Sequence, residues 1–461
     1  MVGLGAALLP LRGATAGRER KKPNVLFLFS DDQRFDTIHV LGNEQIVTPN
    51  LDRLVAHGTA FTHAYIMGGT SGAVCMPSRA MLLSGRTLFH LDRQGQTVPA
   101  KHVTFPEAFR HAGYATFHTG KWHQNPAMYN RCFEQGARIF FGGMSDHFKV
   151  PVQDYDSTGQ YSPQRTYTVD GKHSSELFSD AAIDFLKSYQ GSKPFLMYVA
   201  YTAPHDPRLA PQQYMDMYKP EAMELPKSFM PEHPFDNGDM KLRDEQLAPW
   251  PRTPEEVRRH TAAYYAMITH LDAQIGRVLE TLRQTGHAED TIVVFAADNG
   301  LALGRHGLFG KQNLYEHSVH VPLIFCGPDV HRGEKREAFC YLIDIYPTLC
   351  ELAGLQTPDT VEGRSLVPVL RDAEVKVRDT LFSAYRDFQR AVRDERFKLI
   401  EYHVAGTRTR QLFDLQNDPW ELQNLAADGR YEQQLHSLRN LLVQWKKKLD
   451  DNSNFWQDYT T

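Results

Sequence analysis

Five cysteines in 461 residues are too few to staple a chain of this size into a disulfide scaffold. No Asn-x-Ser/Thr sequon occurs, which argues against a glycosylated lysosomal protein and for a bacterial periplasmic or secreted one. Positive charge is not in surplus: 51 Lys and Arg against 55 Asp and Glu leave a net charge of −4, so nucleic acid is excluded as the main partner. Beyond the N-terminus no apolar run approaches membrane-spanning length, and stable membrane insertion is not expected. Internal repeats and low-complexity tracts are absent as well. What remains is an ordinary globular composition, long enough for a large core and more than one folding unit.

Residues 2–9, VGLGAALL, followed by Ala14-Thr15-Ala16, have the texture of the core and cleavage region of an export signal, without its positive flank. Residues 1–22 are therefore set apart as a signal remnant or disordered N-terminus. From Pro23 the pattern alternates. Pro23–Ser30 is a continuous apolar run, the mark of a strand buried on both faces. Thr48-Pro49-Asn50-Leu51 opens a helix that stops at Gly58. Phe105–His111 reads as a helix and Tyr114–His118 as a strand. Glu176–Tyr189 is an amphipathic helix before the strand Phe195–Tyr201. Residues 207–252, rich in proline and charge, read as a long surface excursion near the site. Helix Pro254–Arg283 and strands Thr291–Ala297 and Val321–Cys326 follow. This is an α/β pattern: a large, mostly parallel sheet sandwiched by helices.

From about Arg378 the texture changes. Leu381–Tyr385, Gln389–Arg393, Phe397–Tyr402 and Gln411–Leu415 are short strands at hairpin spacing, with a helix around Tyr431–Leu449. The expected division is residues 23–377 as a catalytic domain and 378–461 as a smaller α+β subdomain of antiparallel sheet plus helix.

Four strands end, at their carboxyl side, in polar groups: Asp31 and Asp32, Lys121 and His123, His205, and Asp298 and Asn299. Open α/β sheets place their sites beyond those ends, so these residues converge by topology. Asp31, Asp32, Asp298 and Asn299 offer only oxygen, the donor set for a hard cation, Ca²⁺ or Mg²⁺. Alternation along a strand would turn Lys121 and His123 the same way, toward one anion. Gly72–Arg86 completes the set. There Cys75 precedes a short helix with Pro77 in its first turn and Gly85 as its stop. Free N–H groups at such a terminus favour negative charge, and Arg79, one turn on, would aim at the same place.

The order Cys75-Met76-Pro77-Ser78-Arg79, followed by Leu83-Ser84-Gly85-Arg86, closely resembles the hallmark of the type I, formylglycine-dependent sulfatases of the alkaline phosphatase-like superfamily. Gly120-Lys121-Trp122-His123, the loop from Leu303 to Lys311, and Leu412 through Leu425 are similar to further elements of that family. The resemblance runs from about Pro23 to Leu425. It implies that a maturation enzyme oxidises Cys75 to formylglycine, and that Ca²⁺ sits on Asp31, Asp32, Asp298, Asn299 and the modified Cys75. It also implies that Arg79, Lys121 and Lys311 hold the sulfate and the nucleophile. His123 would act on the formylglycine hydroxyl, and His205 would face the leaving group. Alignable bacterial relatives act mainly on sulfated carbohydrates, so a sulfated saccharide is the expected substrate. Ser145 is a further candidate contact, and Arg208, Arg305, His306, His90 and His147 are candidates for a substrate pocket.

Two other functions fit the same residues: a phosphonate or phosphate ester hydrolase of the same superfamily, and a non-catalytic binder of sulfated glycans. With Cys75 given to chemistry, Cys132, Cys326, Cys340 and Cys350 remain. Their spacing matches no zinc motif and leaves disulfide pairing open.

Overall fold

The computed structural model describes residues 21–460, so the apolar stretch at residues 2–9 lies outside the described residues. Ten strands precede the C-terminal region: β1 Asn24–Ser30, β2 Gly58–Tyr65, β3 Gly68–Gly69, β4 Ala115–Lys121, β5 Gln135–Phe140, β6 Phe195–Ala200, β7 Thr291–Ala297, β8 His320–Cys326, β9 Glu334–Arg336 and β10 Cys340–Tyr341. Nine of them, all but β3, form one sheet in the order β10-β2-β8-β7-β1-β6-β4-β5, with β9 also paired to β2. From β7 to β5 every pairing is parallel. Strand β8 runs antiparallel to both of its neighbours.

Strand β1 shows why its sequence is apolar throughout. Successive side chains of a strand point to opposite faces, and both faces here are covered. Val25, Phe27 and Phe29 enter one buried cluster, and Leu26 and Leu28 the other. The second cluster is roofed by the helices Pro49–His57, Ser174–Ser188 and Pro254–Gln284. Pro49 and Pro254 each open a helix where the missing N–H costs nothing. The first cluster takes the helices Cys75–Ser84, Phe105–His111 and Ile345–Leu352. Thr104 and Glu107 close the start of the second of these as a capping box. Gly85 ends the Cys75 helix in the left-handed region at φ 66°, as its sequence position requires.

The C-terminal strands are β11 Leu381–Tyr385, β12 Gln389–Arg393, β13 Phe397–Val404 and β14 Thr407–Asp414, followed by the helix Glu432–Lys448. They pair antiparallel in order. The expected purely antiparallel sheet needs one correction: β3 adds a fifth strand, parallel to β11. Two glycines carry too little hydrophobic pattern to read as a strand. The pairing nevertheless ties the small sheet to the segment that leads into Cys75. Its core is continuous with that of the large sheet, since Leu399, Leu412, Leu442 and Trp445 share a cluster with Phe27 and Leu82.

The excursion 207–252 is less superficial than its composition indicates. Asp244, Glu245 and Arg252 are buried. Glu245 accepts the backbone N–H groups of Phe309 at 2.9 Å and Gly310 at 2.8 Å and pairs with Arg252 at 2.6 Å. All five cysteines are free thiols. Among the described residues no helix is long and apolar enough to cross a membrane.

Candidate active site

Strands β7, β1, β6 and β4 lie side by side in parallel, so their carboxyl ends open on one crevice. Asp31 and Asp32 follow β1, and Asp298 and Asn299 follow β7. Lys121 ends β4, and His205 lies just past β6. The helix Cys75–Ser84 brings its first residue to the same place.

Cys75 Sγ is the centre of this cluster. His123 Nδ1 lies 3.4 Å from it, Lys121 Nζ 3.6 Å and Lys311 Nζ 4.0 Å. Burial pushes the Cys75 thiol up to about 11 against the pull of the two lysines, so as an unmodified thiol it stays protonated near neutrality. Lys121 pairs with Asp31, and Lys311 Nζ donates to Asp32 Oδ1 at 2.5 Å. Arg79 Nε donates to Asp298 Oδ2 at 2.9 Å and its Nη1 to the Lys121 carbonyl at 3.1 Å. Asp32 N–H and Asn299 Nδ2 complete the lattice, on Asp298 Oδ1 at 3.0 Å and Asp32 Oδ1 at 2.7 Å.

The sequence places Lys121 and His123 by strand alternation, and the structure does so differently. Strand β4 ends at Lys121, and His123 lies beyond it in the left-handed region at φ 53°. The imidazole reaches Cys75 through that turn, packed against Gly143, where an added Cβ would lie 2.5 Å from His123 Nε2. Asp32 is also left-handed, at φ 63°. Strained conformations of this kind persist where the surroundings enforce them, and they cluster at functional sites.

Three carboxylate or amide oxygens, Asp31 Oδ1, Asp32 Oδ2 and Asn299 Oδ1, are buried with no hydrogen-bond partner. Buried polar atoms are nearly always satisfied, so such oxygens at one point mark a place for a cation. Carboxylate oxygens of Asp31 and Asp298 also lie within 4.8 Å of each other and of Cys75 Sγ. Without a cation, burial and then the charge of Asp31 push the Asp298 carboxyl up to about 7. The donor set fits a hard divalent cation. His205 offers its Nε2 to the same region, 3.6 Å from Asp32 Oδ2. Its Nδ1 donates to the Asp206 carbonyl at 2.8 Å, which fixes the tautomer and leaves Nε2 facing the site.

A pocket of about 420 Å³ opens above Cys75. Cys75, His123, His205 and Lys311 line it; Arg79 and Lys121 do not and lie behind the nucleophile. Six further expected residues fall outside the lining. Ser145 Oγ turns to the Lys149 carbonyl at 3.5 Å. His90 pairs with Glu362, Arg305 with Asp36 at 2.8 Å, and Arg208 with His260 at 2.7 Å. His306 stacks on Tyr315 with ring centroids 3.9 Å apart. His147 stands under the site, its Nε2 2.8 Å from the His205 carbonyl. In their place the pocket is walled by Gly72, Met144, Leu242, Arg243, Asp244, Gln312 and Arg386. The excursion carried the sequence signal for Leu242, Arg243 and Asp244, and Gly72 opens the Cys75 stretch; Arg386 carried none.

Comparison with known proteins agrees with this geometry. Residues 23–355 match the family model described as "Sulfatase", and residues 304–448 match "N-sulphoglucosamine sulphohydrolase, C-terminal". A protein named "Sulfatase" from Formosa agariphila is 29% identical, over 95% of this chain and 90% of its own length. An "N-acetylglucosamine-6-O-sulfatase" from Bacteroides thetaiotaomicron is 26% identical, over 94% of this chain and 88% of its own. Among solved structures, one in complex with its substrate D-glucosamine-2-N,6-O-disulfate superposes with a TM-score of 0.80. It is 24% identical and covers 95% of this chain and all of the other.

Proposed function

The chain belongs to the sulfatase family and is a sulfuric ester hydrolase; from that premise we propose that it removes sulfate from a sulfated carbohydrate, with Cys75 converted to formylglycine as its nucleophile. The observation that carries the reading is Cys75 on the floor of the pocket, ringed by His123, Lys121 and Lys311 and adjoining the three orphaned oxygens. Residue 75, as the oxidised and hydrated aldehyde, supplies two hydroxyls where the thiol sulfur now lies. That conversion makes a formylglycine-generating maturation enzyme the partner of this chain.

Asp31, Asp32, Asp298 and Asn299 would hold Ca²⁺ or Mg²⁺, and such an ion would supply Lewis acidity to the reaction. Lys311, at the pocket wall, neutralises charge on the sulfate oxygens as the sulfur is attacked, and Lys121 adds charge from behind. Arg79 orients: its bonds to Asp298 and the Lys121 carbonyl hold the carboxylate and the lysine in register. His205, whose Nδ1–H is held by the Asp206 carbonyl, takes up a second proton at Nε2, 3.6 Å from Asp32 Oδ2, and as the imidazolium gives that proton to the departing sugar oxygen. His123, beside residue 75, then accepts a proton from the second hydroxyl, which lets sulfate leave and restores the aldehyde.

Residues 23–377 would form the catalytic unit and 378–461 a smaller C-terminal one. The family fits a periplasmic or secreted location. The test is turnover of nitrophenyl sulfate, the matched phenylphosphonate ester and defined sulfated saccharides, with mass spectrometry of the Cys75 peptide. Conversion to formylglycine together with saccharide desulfation supports the reading. A peptide that remains a thiol in the native host, with no turnover, would leave a glycan-binding protein. Higher efficiency on the phosphonate would make it a phosphonate hydrolase.

A further inference from the structure

We propose that Arg243 and Arg386, the two guanidinium groups on the pocket wall, bind a second negative charge of the substrate. The preferred ester is then a sulfated saccharide that also carries a carboxylate or another sulfate. This rests on the sulfatase reading and concerns which ester the same pocket selects.

Both arginines share the pocket with Cys75, yet they come from distant parts of the chain. Arg243 opens the 3₁₀ turn Arg243–Leu247 in the excursion, and Arg386 lies in the hairpin between β11 and β12. Their side chains are 45% and 35% exposed, so each presents charge to water inside an otherwise buried site. Neither is loose. Arg243 is clamped by Asp206, with Nη2 3.1 Å from Oδ1, and by Asp244 Oδ1 at 2.7 Å. Arg386 Nη1 lies 3.2 Å from Asp239 Oδ2. Of these acids only Asp244 lines the pocket, and its other oxygen already accepts from Gln312 Nε2 at 2.8 Å. The acids fix the guanidinium groups, and both arginines line the cavity. Guanidinium groups held in advance favour oxyanions, whose paired oxygens match their planar fork.

Arg386 shows the clearest construction. Its backbone is left-handed at φ 42°, an uncommon state for a side chain of this size. It is held there by its N–H on the Gly69 carbonyl at 2.9 Å and by Arg390 Nη1 on its own carbonyl at 2.6 Å. Strand β3 thus sets the position of a pocket residue. The guanidinium lies against Gly72: an added Cβ there would sit 2.9 Å from Nη2. A side chain at residue 72 would displace the charge from the wall just ahead of Cys75.

The test uses the matured enzyme and substrates that differ by one charge. Glucosamine 6-O-sulfate is compared as its N-acetyl and its N-sulfated form. An N-acetylhexosamine sulfate is compared free and linked to a uronic acid. The wild type is expected to favour the two-anion member of at least one pair by about 10- to 100-fold in kcat/KM, mostly through KM. The pair that shows it tells sulfate from carboxylate. Arg386→Ala and Arg243→Ala should each collapse that ratio, and Arg386→Lys should restore part of it. Gly72→Ala should also lower it with every charge kept. Melting temperatures identify any variant that fails to fold. Calorimetric binding of the two-anion saccharide to Cys75→Ala, with and without Arg386→Ala, gives a second readout. Equal efficiency of the wild type on both members of each pair, or an equal loss on both in the variants, overturns the subsite and leaves the sulfatase reading intact. No turnover of any ester, nitrophenyl sulfate included, overturns the sulfatase reading instead.

Discussion

Arg79 Nε donates to Asp298 Oδ2 at 2.9 Å, and both side chains are sealed from solvent. The same carboxylate adjoins the proposed cation position, so one residue serves stability and chemistry together. Removing one partner of a buried pair leaves the other charge uncompensated, at a cost of about 3–5 kcal/mol. Asp298→Ala is expected to lose activity and also to melt well below the wild type. Asp298→Asn keeps the volume and an oxygen acceptor, so it should lose activity with a smaller drop in melting temperature. Thermal melts beside single-turnover assays separate the two effects. An active Asp298→Ala enzyme would remove Asp298 from the site.

Cys75→Ala removes the nucleophile and little volume from a pocket floor. The variant should fold like the wild type and show essentially no turnover of any sulfate ester. Activity near the wild-type level would rule out residue 75 as the nucleophile.

Chelation should abolish activity, and Ca²⁺ should restore it better than Zn²⁺, because the orphaned donors are all hard oxygens. Elemental analysis of the purified protein gives an independent check. A chelator without effect on an enzyme that contains no metal would mean that the oxygen cluster has another purpose.

If His205 is the general acid, its contribution depends on how much the leaving oxygen needs a proton. Losing a general acid costs about 10²- to 10⁴-fold. His205→Ala should lose most activity on a sugar sulfate and far less on nitrophenyl sulfate, whose phenolate leaves unaided. His123→Ala should impair release of sulfate from the enzyme whatever the leaving group, so that an adduct 80 Da heavier, about the mass of SO₃, accumulates on intact-mass spectra. An equal loss across a leaving-group series for His205→Ala would show that it does not protonate the leaving oxygen.

Behind the pocket wall, Asp451 accepts from Arg390 Nε at 2.6 Å, both side chains are fully buried, and Arg390 Nη1 in turn holds the Arg386 carbonyl. Burial raises the Asp451 carboxyl, but the Arg390 bonds and charge outweigh it and hold it below the usual carboxylate range. A carboxyl depressed in the folded state contributes stability above its unfolded value, about 3.9, and loses it as pH falls through the folded value. Asp451→Asn should therefore melt below the wild type at neutral pH, and the gap should narrow below about pH 4. A gap constant with pH would show that the pair adds packing alone.

The sequence by itself determined the strands and helices whose composition admits one environment. Asn24–Ser30 is apolar on both faces because both faces of β1 are covered. Thr291–Ala297 and Phe105–His111 fall where their pattern and caps put them. It also determined which side chains meet, because parallel neighbouring strands must end at one edge of the sheet and the polar residues were written at those ends. Tertiary structure decided how they meet. His123 reaches Cys75 through a left-handed turn that strand alternation cannot express. Glu245, distant in sequence, binds the backbone that leads into Lys311. Strand β3, two glycines long, fixes Arg386 beside the pocket. Local pattern records what a segment buries against, whereas these contacts depend on where two remote segments cross, and no short-range periodicity encodes that crossing.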